Sequence, residues 1–377
     1  MTLSEPLAAA TEHQPGARAA LVAALTAPSH AYLFAGPPGT GKRGAARAFV
    51  AELLAEGAPD PEDARRRALA DPSPHPDLVW LAPRGNQHLV EEVREQVIAA
   101  AAYRPFEGER RAFVIEAAEA MADESQNALL KTLEEPAPFV HLVLLSSEPA
   151  MLLETVRSRC RPVRFAPLPP DAVEARLAAG GLGRDGVERS AAARLAGGDL
   201  GVATFLVGDA GRELRSFAER CAAAAISGEL GDRPWRDLLA AAEAEGERAA
   251  EAEAERLREL AGEAGDERTA RRIAREAEEA ARRAARRART QALDLGLALI
   301  AAWLRDLAAA ADGALDLTLN ADRGDALRQA AEGMDARRAR RAAELAMDTR
   351  RRLRVNVSEE LALESLVFSL ETALGNA

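Results

Sequence analysis

The sequence predicts an α/β domain built on a parallel sheet, followed by a region that is almost wholly helical. Residues 31–35 form a short apolar segment that leads into a loop rich in glycine and proline and then into a helical pattern. Short apolar segments alternate with helical patterns as far as residue 145, which is typical of a parallel sheet covered by helices on both faces. From residue 212 onward, nearly all of the pattern is helical.

Length and composition restrict the class of protein. The 377 residues are enough for about two to three domains. The formal net charge of −11 argues against a surface that binds nucleic acid throughout, but it allows a local basic patch. The two cysteines, Cys160 and Cys221, are too few for a disulfide framework or a four-cysteine zinc site. No segment resembles a signal peptide or a membrane span, so we expect a cytoplasmic protein without a membrane partner.

The loop after the first apolar segment resembles a phosphate-binding loop. Residues 31–43 read AYLFAGPPGTGKR, with Gly36, Gly41 and Lys42 at the spacing of that motif. Glycines allow backbone N–H groups to turn toward a phosphate, and the following helix N-terminus favours an anion. An ordinary glycine-rich turn is the alternative, but the strand before the loop and the helix after it favour a phosphate site. The candidate nucleotide-binding residues here are Gly36, Gly39, Thr40, Gly41 and Lys42.

Two positions depart from the pattern of a nucleotide hydrolase. The loop motif ends in Ser or Thr because that hydroxyl binds magnesium, and Arg43 stands at this position. After the apolar segment 113–115, Glu116 can stand near a metal, but Ala117 occupies the place of the water-activating carboxylate. Because alanine cannot accept a proton, we expect no intrinsic ATP hydrolysis.

The other elements of the α/β domain follow in order. Residues 56–76 are rich in Pro, Asp and Arg and are expected to form a surface insertion with little to bury. A helix at 123–135 is expected to be capped by Asp123 or Ser125 and stopped by Pro136. The remaining predicted elements are strands at 78–81, 112–116 and 140–145 and a helix at 88–102. Ligands of such a sheet bind beyond the carboxyl ends of its strands, where the phosphate loop lies.

Prolines at 162, 167, 169 and 170 predict a domain boundary. We expect an α/β domain at 1–167, a small helical domain at 168–208 and a helical C-terminal domain at 209–377. Within the last, residues 240–289 contain few large aliphatic side chains, with acidic residues in the first half and arginines in the second. Such a segment cannot fill a core, so we expect a solvated helical arm or hairpin; disorder is the alternative.

A longer motif accompanies the phosphate loop. Residues 126–136 read QNALLKTLEEP, Ser146 and Ser147 end the next strand, and residues 158–160 read Ser-Arg-Cys. Over about residues 15–210 this combination resembles the bacterial clamp-loader branch of the AAA+ family, and within that branch the delta-prime type. The resemblance implies an AAA+ P-loop domain, a small helical lid and a C-terminal helical collar.

The resemblance also implies a role for Arg159. In clamp loaders, five related subunits form a ring with ATP sites between neighbours, and the Ser-Arg-Cys arginine reaches the nucleotide of the next subunit. Arg159 is therefore the candidate arginine finger, because a planar guanidinium stays charged and can bind phosphate oxygens. An arginine paired with a local carboxylate is the alternative. Ser146 or Ser147 is the candidate polar sensor, or else a helix cap, and Cys160 is expected to pack rather than react.

The implied partners are the gamma/tau-type and delta-type subunits, with the sliding clamp and primer-template DNA met through the complex. Arg104, Arg110, Arg111 and Lys131 are candidate DNA contacts. No cysteine lies between Lys42 and residue 159, so zinc is not expected, and no metal site is predicted. Residues 198–201 provide no arginine to sense a nucleotide.

Three interpretations follow for the whole chain. The preferred one is a hydrolysis-deficient delta-prime-type subunit that can bind ATP without turning it over and that donates an arginine finger. The first alternative is an ATP-hydrolysing motor subunit of the gamma or tau type. The second is a scaffold subunit with no part in nucleotide chemistry.

Overall fold

The computed structural model of the protein describes residues 3–83, 87–262, 267–353 and 358–375. Contacts divide the chain into two compact units, Met1–Pro169 and Pro170–Ala377. The first unit contains a sheet covered by helices, and the described part of the second consists of helices and connecting turns. The predicted fold class, α/β plus all-α, is therefore confirmed. The division into three domains at residues 167 and 208 stays a prediction.

The first unit is built around a parallel sheet. Its strands in the described part of the chain are β1 (Ala31–Ala35), β2 (Leu78–Leu81), β3 (Arg111–Ile115), β4 (Val140–Ser146) and β5 (Arg161–Arg164). Their order across the sheet is β2-β3-β4-β1-β5, and every neighbouring pair is parallel. Because β1 has β4 on one side and β5 on the other, the loop that follows β1 lies within the carboxyl edge of the sheet rather than at a corner.

Apolar side chains cover both faces of this sheet, as the near-continuous apolar strands predict. On one face Tyr32 and Phe34 pack against Phe49, with the Tyr32 and Phe49 ring centroids 5.0 Å apart. On the other face Phe113 and Leu144 belong to a second buried cluster. Successive strand residues alternate between the two clusters, so the whole sheet is held between two packed layers.

Helices surround the sheet. They are α1 (Glu5–Ala10), α2 (Pro15–Thr26), α3 (Lys42–Ala55), α4 (Pro61–Leu69), α5 (Val90–Glu92), α6 (Asp123–Glu134) and α7 (Glu154–Arg157). α5 continues as a π-helix (Val93–Ala99) and a 3-10 turn (Ala100–Ala102), and further 3-10 turns lie at Ala118–Ala120 and Pro149–Met151.

Three local expectations need correction. The predicted surface insertion contains α4, whose Ala64 and Ala68 are fully buried, and this helix packs against α3. Alanine on one side of a helix suffices for close packing, so the low aliphatic content was misleading. The N-cap of α6 is Ala122, which makes no side-chain capping bond, so neither Asp123 nor Ser125 caps it. The proline-rich stretch does contain the division between the two units, after Pro169, but its first part also forms β5, an edge strand where a missing N–H is tolerated.

The second unit is helical throughout its described part. Its helices are α8 (Pro170–Ala179), α9 (Gly186–Leu195), α10 (Leu200–Leu206), α11 (Asp209–Ser227), α12 (Trp235–Gly262), α13 (Glu267–Ala311), α14 (Gly324–Ala330), α15 (Ala336–Arg352) and α16 (Glu359–Leu374). 3-10 turns lie at Leu315–Leu317 and Ala321–Arg323. No helix among the described residues is long and apolar enough to span a membrane.

The charged segment 240–289 lies on α12 and α13, which contact each other, while residues 263–266 of it lie outside the described residues. At Gly246 the two helices approach closely, because an added Cβ there would lie 3.0 Å from the Ala285 carbonyl oxygen. A glycine thus allows close contact in a segment that has few large apolar side chains.

A buried carboxylate organises the connection after α13. Asp306 is fully buried and accepts three hydrogen bonds, from the Leu319 N–H (2.9 Å), the Asn320 N–H (2.7 Å) and Asn320 Nδ2 (2.8 Å). Asn320 Oδ1 in turn accepts from Arg215 on α11 at 2.8 Å. A carboxylate has acceptor sites for all three donors, whereas an amide at the same place would turn a donor toward one of them.

We expect Asp306→Asn to lower the free energy of unfolding by about 1–3 kcal/mol, because at least one buried donor loses its acceptor. Urea unfolding followed by circular dichroism measures the change. Asp316→Asn is the matched control, since Asp316 is exposed, and its effect should stay below about 0.5 kcal/mol. Equal stabilities of the two variants would contradict the assigned role of Asp306.

Candidate functional site

Close packing fixes the first residue of the phosphate loop. The Gly36 N–H donates to the Ser146 carbonyl of β4 at 3.2 Å. A Cβ atom added to Gly36 would lie 2.2 Å from the Phe165 carbonyl oxygen, so a side chain cannot fit there without a shift of the backbone. Gly36 therefore ties the loop both to β4 and to the segment that follows β5.

Two further glycines shape the loop. Gly39 and Gly41 adopt φ values of +68° and +89°, in the left-handed region that favours glycine. Gly41 directly precedes α3, so the unsatisfied N–H groups of the first helical turn lie at the loop. Thr40 is buried, and its hydroxyl donates to the Pro37 carbonyl at 2.9 Å. This backbone has the features of an anion-binding turn.

The lysine of the loop is held against the loop itself. Lys42 Nζ donates to the carbonyls of Gly36 at 2.5 Å and Pro37 at 2.6 Å, and only 8% of the residue is exposed. The predicted cofactor-binding residues of the loop therefore lie together in the structure. That they bind a nucleotide stays a prediction.

Gln14 braces the loop from outside the motif. Its Nε2 donates to the Thr40 carbonyl at 3.2 Å and to the Ala166 carbonyl at 2.7 Å, and its Oε1 accepts from the Ala166 N–H at 2.9 Å. Gln14 is 3% exposed. Sequence reasoning missed this residue, since a glutamine between two short helices gives no local signal of a partner 152 positions away.

Arg43 joins two carboxylates beside the loop. Its Nε lies 2.5 Å from Glu116 Oε1 at the end of β3, and its Nη2 lies 3.0 Å from Asp71 Oδ2. Arg47, one helical turn further along α3, lies 3.0 Å from the other Asp71 oxygen. The residue at the expected magnesium position is thus a cation that is paired with the expected metal-binding acid.

Trp80 supports this network from β2. Its Nε1 donates to Glu116 Oε1 at 2.7 Å, and the Arg47 guanidinium lies 4.4 Å from the centre of its ring. A guanidinium over an indole face is attracted by the ring quadrupole. Burial lowers the pKa of Arg47, and the charge of Asp71 opposes this effect. Asp71, Arg47 and Trp80 were all missed from the sequence, because no motif connects them to the loop.

The residues at this place do not suit magnesium. Mg²⁺ requires oxygen ligands in a near-ideal octahedron, and a guanidinium has no acceptor atom. Arg43 replaces the usual hydroxyl ligand and already occupies an oxygen of Glu116.

Ala117 has an unusual backbone. It adopts φ 45° and ψ 55°, the left-handed conformation, which is uncommon for residues other than glycine. The adjacent His88 ring contacts the Glu116 carbonyl through Nε2 at 2.7 Å, and burial lowers the pKa of this imidazole. The position expected to activate water is thus an alanine in a tightly held turn.

The two candidate sensor serines differ in their surroundings. Ser146 is 1% exposed, and its hydroxyl has no hydrogen-bond partner among the described residues. The Ser147 backbone N–H donates to Glu119 Oε1 at 3.0 Å. Neither side chain caps the following 3-10 turn, whose N-cap is Glu148, so the capping alternative is wrong.

Arg159 lies before β5 in a partly exposed position. Its Nη2 lies 2.5 Å from Glu134 Oε1, its Nη1 donates to the Thr155 carbonyl at 2.8 Å, and 35% of its side chain is exposed. The guanidinium borders a depression of about 490 Å³, which Ser29, His30 and Arg161 also line. Sequence reasoning left open a pairing with a local carboxylate, and Glu134 is that carboxylate.

The phosphate loop and Arg159 lie at opposite edges of the sheet. The loop follows the carboxyl end of β1, whereas Arg159 precedes β5, whose first residue Arg161 pairs with Tyr32 near the start of β1. The intervening strands have at least four residues, so at roughly 3.3 Å per residue the edges are about 13 Å or more apart. Arg159 therefore cannot reach the chain's own loop while the sheet is intact.

Cys160 is buried in the core, and burial raises the pKa of its thiol to about 12, which confirms a packing role.

The four candidate DNA contacts differ in exposure. Arg111 is 7% exposed and donates to the Ala100 carbonyl at 3.1 Å, so the hypothesis that it contacts DNA is wrong. Arg110 pairs with Glu56 at 2.7 Å, and Arg104 and Lys131 are exposed.

Comparison with known proteins agrees with the sequence motifs. Residues 20–169 match the family model described as DNA polymerase III, delta subunit. The DNA polymerase III subunit delta' of Bacillus subtilis is 35% identical over 154 residues, which are 40% of this chain and 46% of that protein. The subunit delta' of Escherichia coli is 34% identical over 217 residues, 56% of this chain and 63% of that protein. The expected resemblance to delta-prime subunits is therefore confirmed.

Two further similarities are at lower sequence identity. The subunit tau of Bacillus subtilis is 31% identical over 154 residues, 40% of this chain and 27% of that protein. The matches with the delta' subunits span about half of their length. A gamma subunit-related protein of Thermotoga maritima shares 13% identity at a TM-score of 0.40, with 95% of this chain and 99% of that chain covered. Such a score supports no conclusion about fold or function.

Two glycines provide a test of the loop geometry. We expect Gly36→Ala to lower the free energy of unfolding by about 1–3 kcal/mol, because the new methyl group meets the Phe165 carbonyl. Gly44→Ala, on the exposed side of α3 with open space around it, should instead raise stability by up to about 1 kcal/mol. Thermal unfolding of both variants measures the difference. A stabilising effect of Gly36→Ala would contradict the close contact between Gly36 and the Phe165 carbonyl.

Proposed function

We propose that the chain is a delta-prime-type clamp-loader subunit that donates Arg159 to the ATP site of a neighbouring subunit and does not hydrolyse ATP itself. It joins gamma/tau-type and delta-type subunits in a ring that opens the sliding clamp and places it on primer-template DNA in the cytoplasm. The match of residues 20–169 and of the delta' relatives supports the clamp-loader assignment.

The observation that carries the arginine-finger part is the placement of Arg159 at the edge opposite the chain's own loop. A finger that served this chain would have to lie near Gly36 and Lys42. An arginine at the other edge, partly exposed beside an open depression, is instead available to a nucleotide held by another subunit. The geometry therefore supports action in trans.

The contacts of Arg159 are compatible with this task. A guanidinium carries five N–H donors in a planar fork, and the ion pair with Glu134 and the hydrogen bond to Thr155 occupy only part of them. These two partners orient the side chain, and the remaining donors can bind phosphate oxygens. In the transition state of phosphoryl transfer, such a cation stabilises the charge that spreads over the transferred group.

The chain's own loop lacks the parts that hydrolysis needs. Arg43 stands where a hydroxyl would bind magnesium and is paired with Glu116. Ala117 supplies no group that could orient or deprotonate water. These two features argue against an ATP-hydrolysing motor subunit. The 31% identity to the subunit tau of Bacillus subtilis is the observation that favours that alternative.

Of the four candidate DNA contacts named from the sequence, Arg104 and Lys131 remain. Both are exposed, whereas Arg110 is paired with Glu56 and Arg111 is buried. In the proposed function, these two residues contact the primer-template DNA when the chain is part of the assembled complex. An exposed cation near a phosphate backbone adds affinity without sequence specificity.

The arginine finger can be tested in a reconstituted clamp loader. We expect Arg159→Ala to reduce turnover at the ATP site beside this chain by a factor of roughly 10³ or more, because the transition-state charge loses its cation. The DNA-stimulated ATPase rate of the whole complex should fall to the rate that its other ATP sites contribute. Assembly should persist, which mass measurement of the complex would check.

Arg157→Ala is the matched control, since Arg157 is exposed on the neighbouring α7 and lies outside the proposed contact. It should leave ATPase and assembly unchanged. Normal hydrolysis by the intact Arg159→Ala complex would contradict the finger and favour a pure scaffold. Loss of assembly together with activity would assign Arg159 to the interface rather than to the chemistry.

The absence of intrinsic hydrolysis has its own test. The isolated chain should release phosphate from ATP no faster than the buffer does, because both a metal ligand and the water-activating carboxylate are replaced. A coupled phosphate assay measures this rate, with Lys42→Ala as the reference for contaminating activity. Turnover that is lost in Lys42→Ala would favour a gamma/tau-type motor subunit.

A further inference from the structure

The acidic groups beside the phosphate loop are already occupied by protein cations. Glu116 Oε1 accepts a hydrogen bond from Trp80 Nε1 at 2.7 Å and lies 2.5 Å from Arg43 Nε. Asp71 is bridged on one oxygen by Arg43 and on the other by Arg47, each at 3.0 Å. Three of the four oxygens of these two carboxylates therefore already contact a guanidinium group.

The charges of this network are balanced without a metal. Two guanidinium groups face two carboxylates, so the group of four side chains is close to neutral. A divalent cation placed beside them would meet two positive charges within a few ångströms, and three of the four oxygens of these carboxylates already contact a guanidinium group. Arg43 thus supplies a fixed positive charge at the place where magnesium would ordinarily supply a mobile one.

The loop nevertheless keeps the parts that hold phosphate. Gly39 and Gly41 retain the left-handed backbone of an anion-binding turn. Lys42 and Lys131 are the only lysines among the 49 Lys and Arg residues of the sequence. In a chain that otherwise uses arginine for its basic residues, a lysine in the loop indicates a need for a compact ammonium, which a guanidinium cannot replace.

A buried polar group beside the loop has no partner. The Ser146 hydroxyl is 1% exposed and unpaired among the described residues, and the carbonyl of the same residue accepts the Gly36 N–H. A buried hydroxyl without a partner costs free energy that a ligand could recover. Its position at the end of β4, next to the loop, is independent support for a polar ligand here.

We propose that this loop binds a nucleoside triphosphate as the metal-free anion, with Lys42 and Arg43 supplying the positive charge that magnesium provides in hydrolysing relatives. The proposal rests on the nucleotide-binding part of the proposed function and is independent of Arg159. It also agrees with the expected absence of hydrolysis, because the loop would then lack both the metal ion and the water-activating carboxylate.

Calorimetric titration of the full chain with ATP, in Mg²⁺ and in EDTA at equal ionic strength, tests the proposal. The wild-type dissociation constant should be no smaller in Mg²⁺ than in EDTA. Arg43→Thr, which restores a hydroxyl and frees Glu116, should weaken binding in EDTA by about tenfold or more, since one charged contact is lost. In the same variant Mg²⁺ should tighten binding by about tenfold or more.

Three control variants assign the binding signal to the loop. Lys42→Ala should abolish binding in both solutions, which assigns the signal to the loop. Arg66→Thr removes an exposed arginine that pairs with Asp63 on α4, and it should change neither dissociation constant. Arg43→Gln removes the same charge without adding a hydroxyl, and it should lose affinity in EDTA without gaining a response to Mg²⁺.

Two results would overturn the proposal. The first is wild-type binding that is at least about tenfold tighter in Mg²⁺ than in EDTA. The second is no binding of ATP in either solution by a chain that still unfolds cooperatively, which would mean that the Arg43 and Glu116 pair closes the loop to nucleotides. Neither result bears on the ATPase of the Arg159→Ala complex, so the two proposals can fail separately.

Discussion

The constraint on which the rest of the first unit depends is the common direction of its strands. Because every neighbouring pair is parallel, one edge of the sheet gathers the carboxyl ends and the other gathers the amino ends. Buried apolar clusters on both faces hold the strands in register, so neither edge can shift relative to the other without loss of packing. The phosphate loop and Arg159 are therefore held at a fixed separation, as the proposed function requires of a subunit with its loop at one edge and its arginine at the other.

At each edge, the surroundings of an arginine decide what that arginine can do. Arg43 is paired with Asp71 and Glu116, but 57% of its side chain is exposed, so its charge can also act on an anion in the loop. Arg159 contacts one carboxylate and one carbonyl and faces an open depression, so donors remain for a ligand. Arg111 is buried and bonded to backbone carbonyls, and its role is structural. The same side chain thus replaces a metal, serves as a candidate finger, or stabilises a turn, according to its neighbours.

The sequence predicted the elements whose signals are local and failed where partners are distant. Strands β1 to β4 and helix α6 follow from apolar patterns, and the loop follows from its motif. β5 was missed because Pro162 suggests a boundary, although an edge strand tolerates a proline. Helix α4 was missed because its buried residues are alanines, which carry little hydrophobic signal. Gln14 and Asp71 could not be predicted as parts of the site, since their partners are set by the tertiary fold and not by spacing.

The charged helices of the second unit extend the same argument about arginine. Arg282 and Arg283 lie close to Glu278 and Glu279, at 2.5 and 3.1 Å, with each glutamate four residues earlier, the more favourable order for such pairs. Exposed pairs of this kind each contribute only about 0.3–0.5 kcal/mol, so they keep the helix soluble rather than hold it in place. Arg289 differs, because its guanidinium contacts Glu243 of α12 at 2.8 Å and Glu359 of α16 at 2.6 Å, and so connects three helices. Together with the close approach at Gly246, this explains how α12 and α13 pack against each other where large apolar side chains are few.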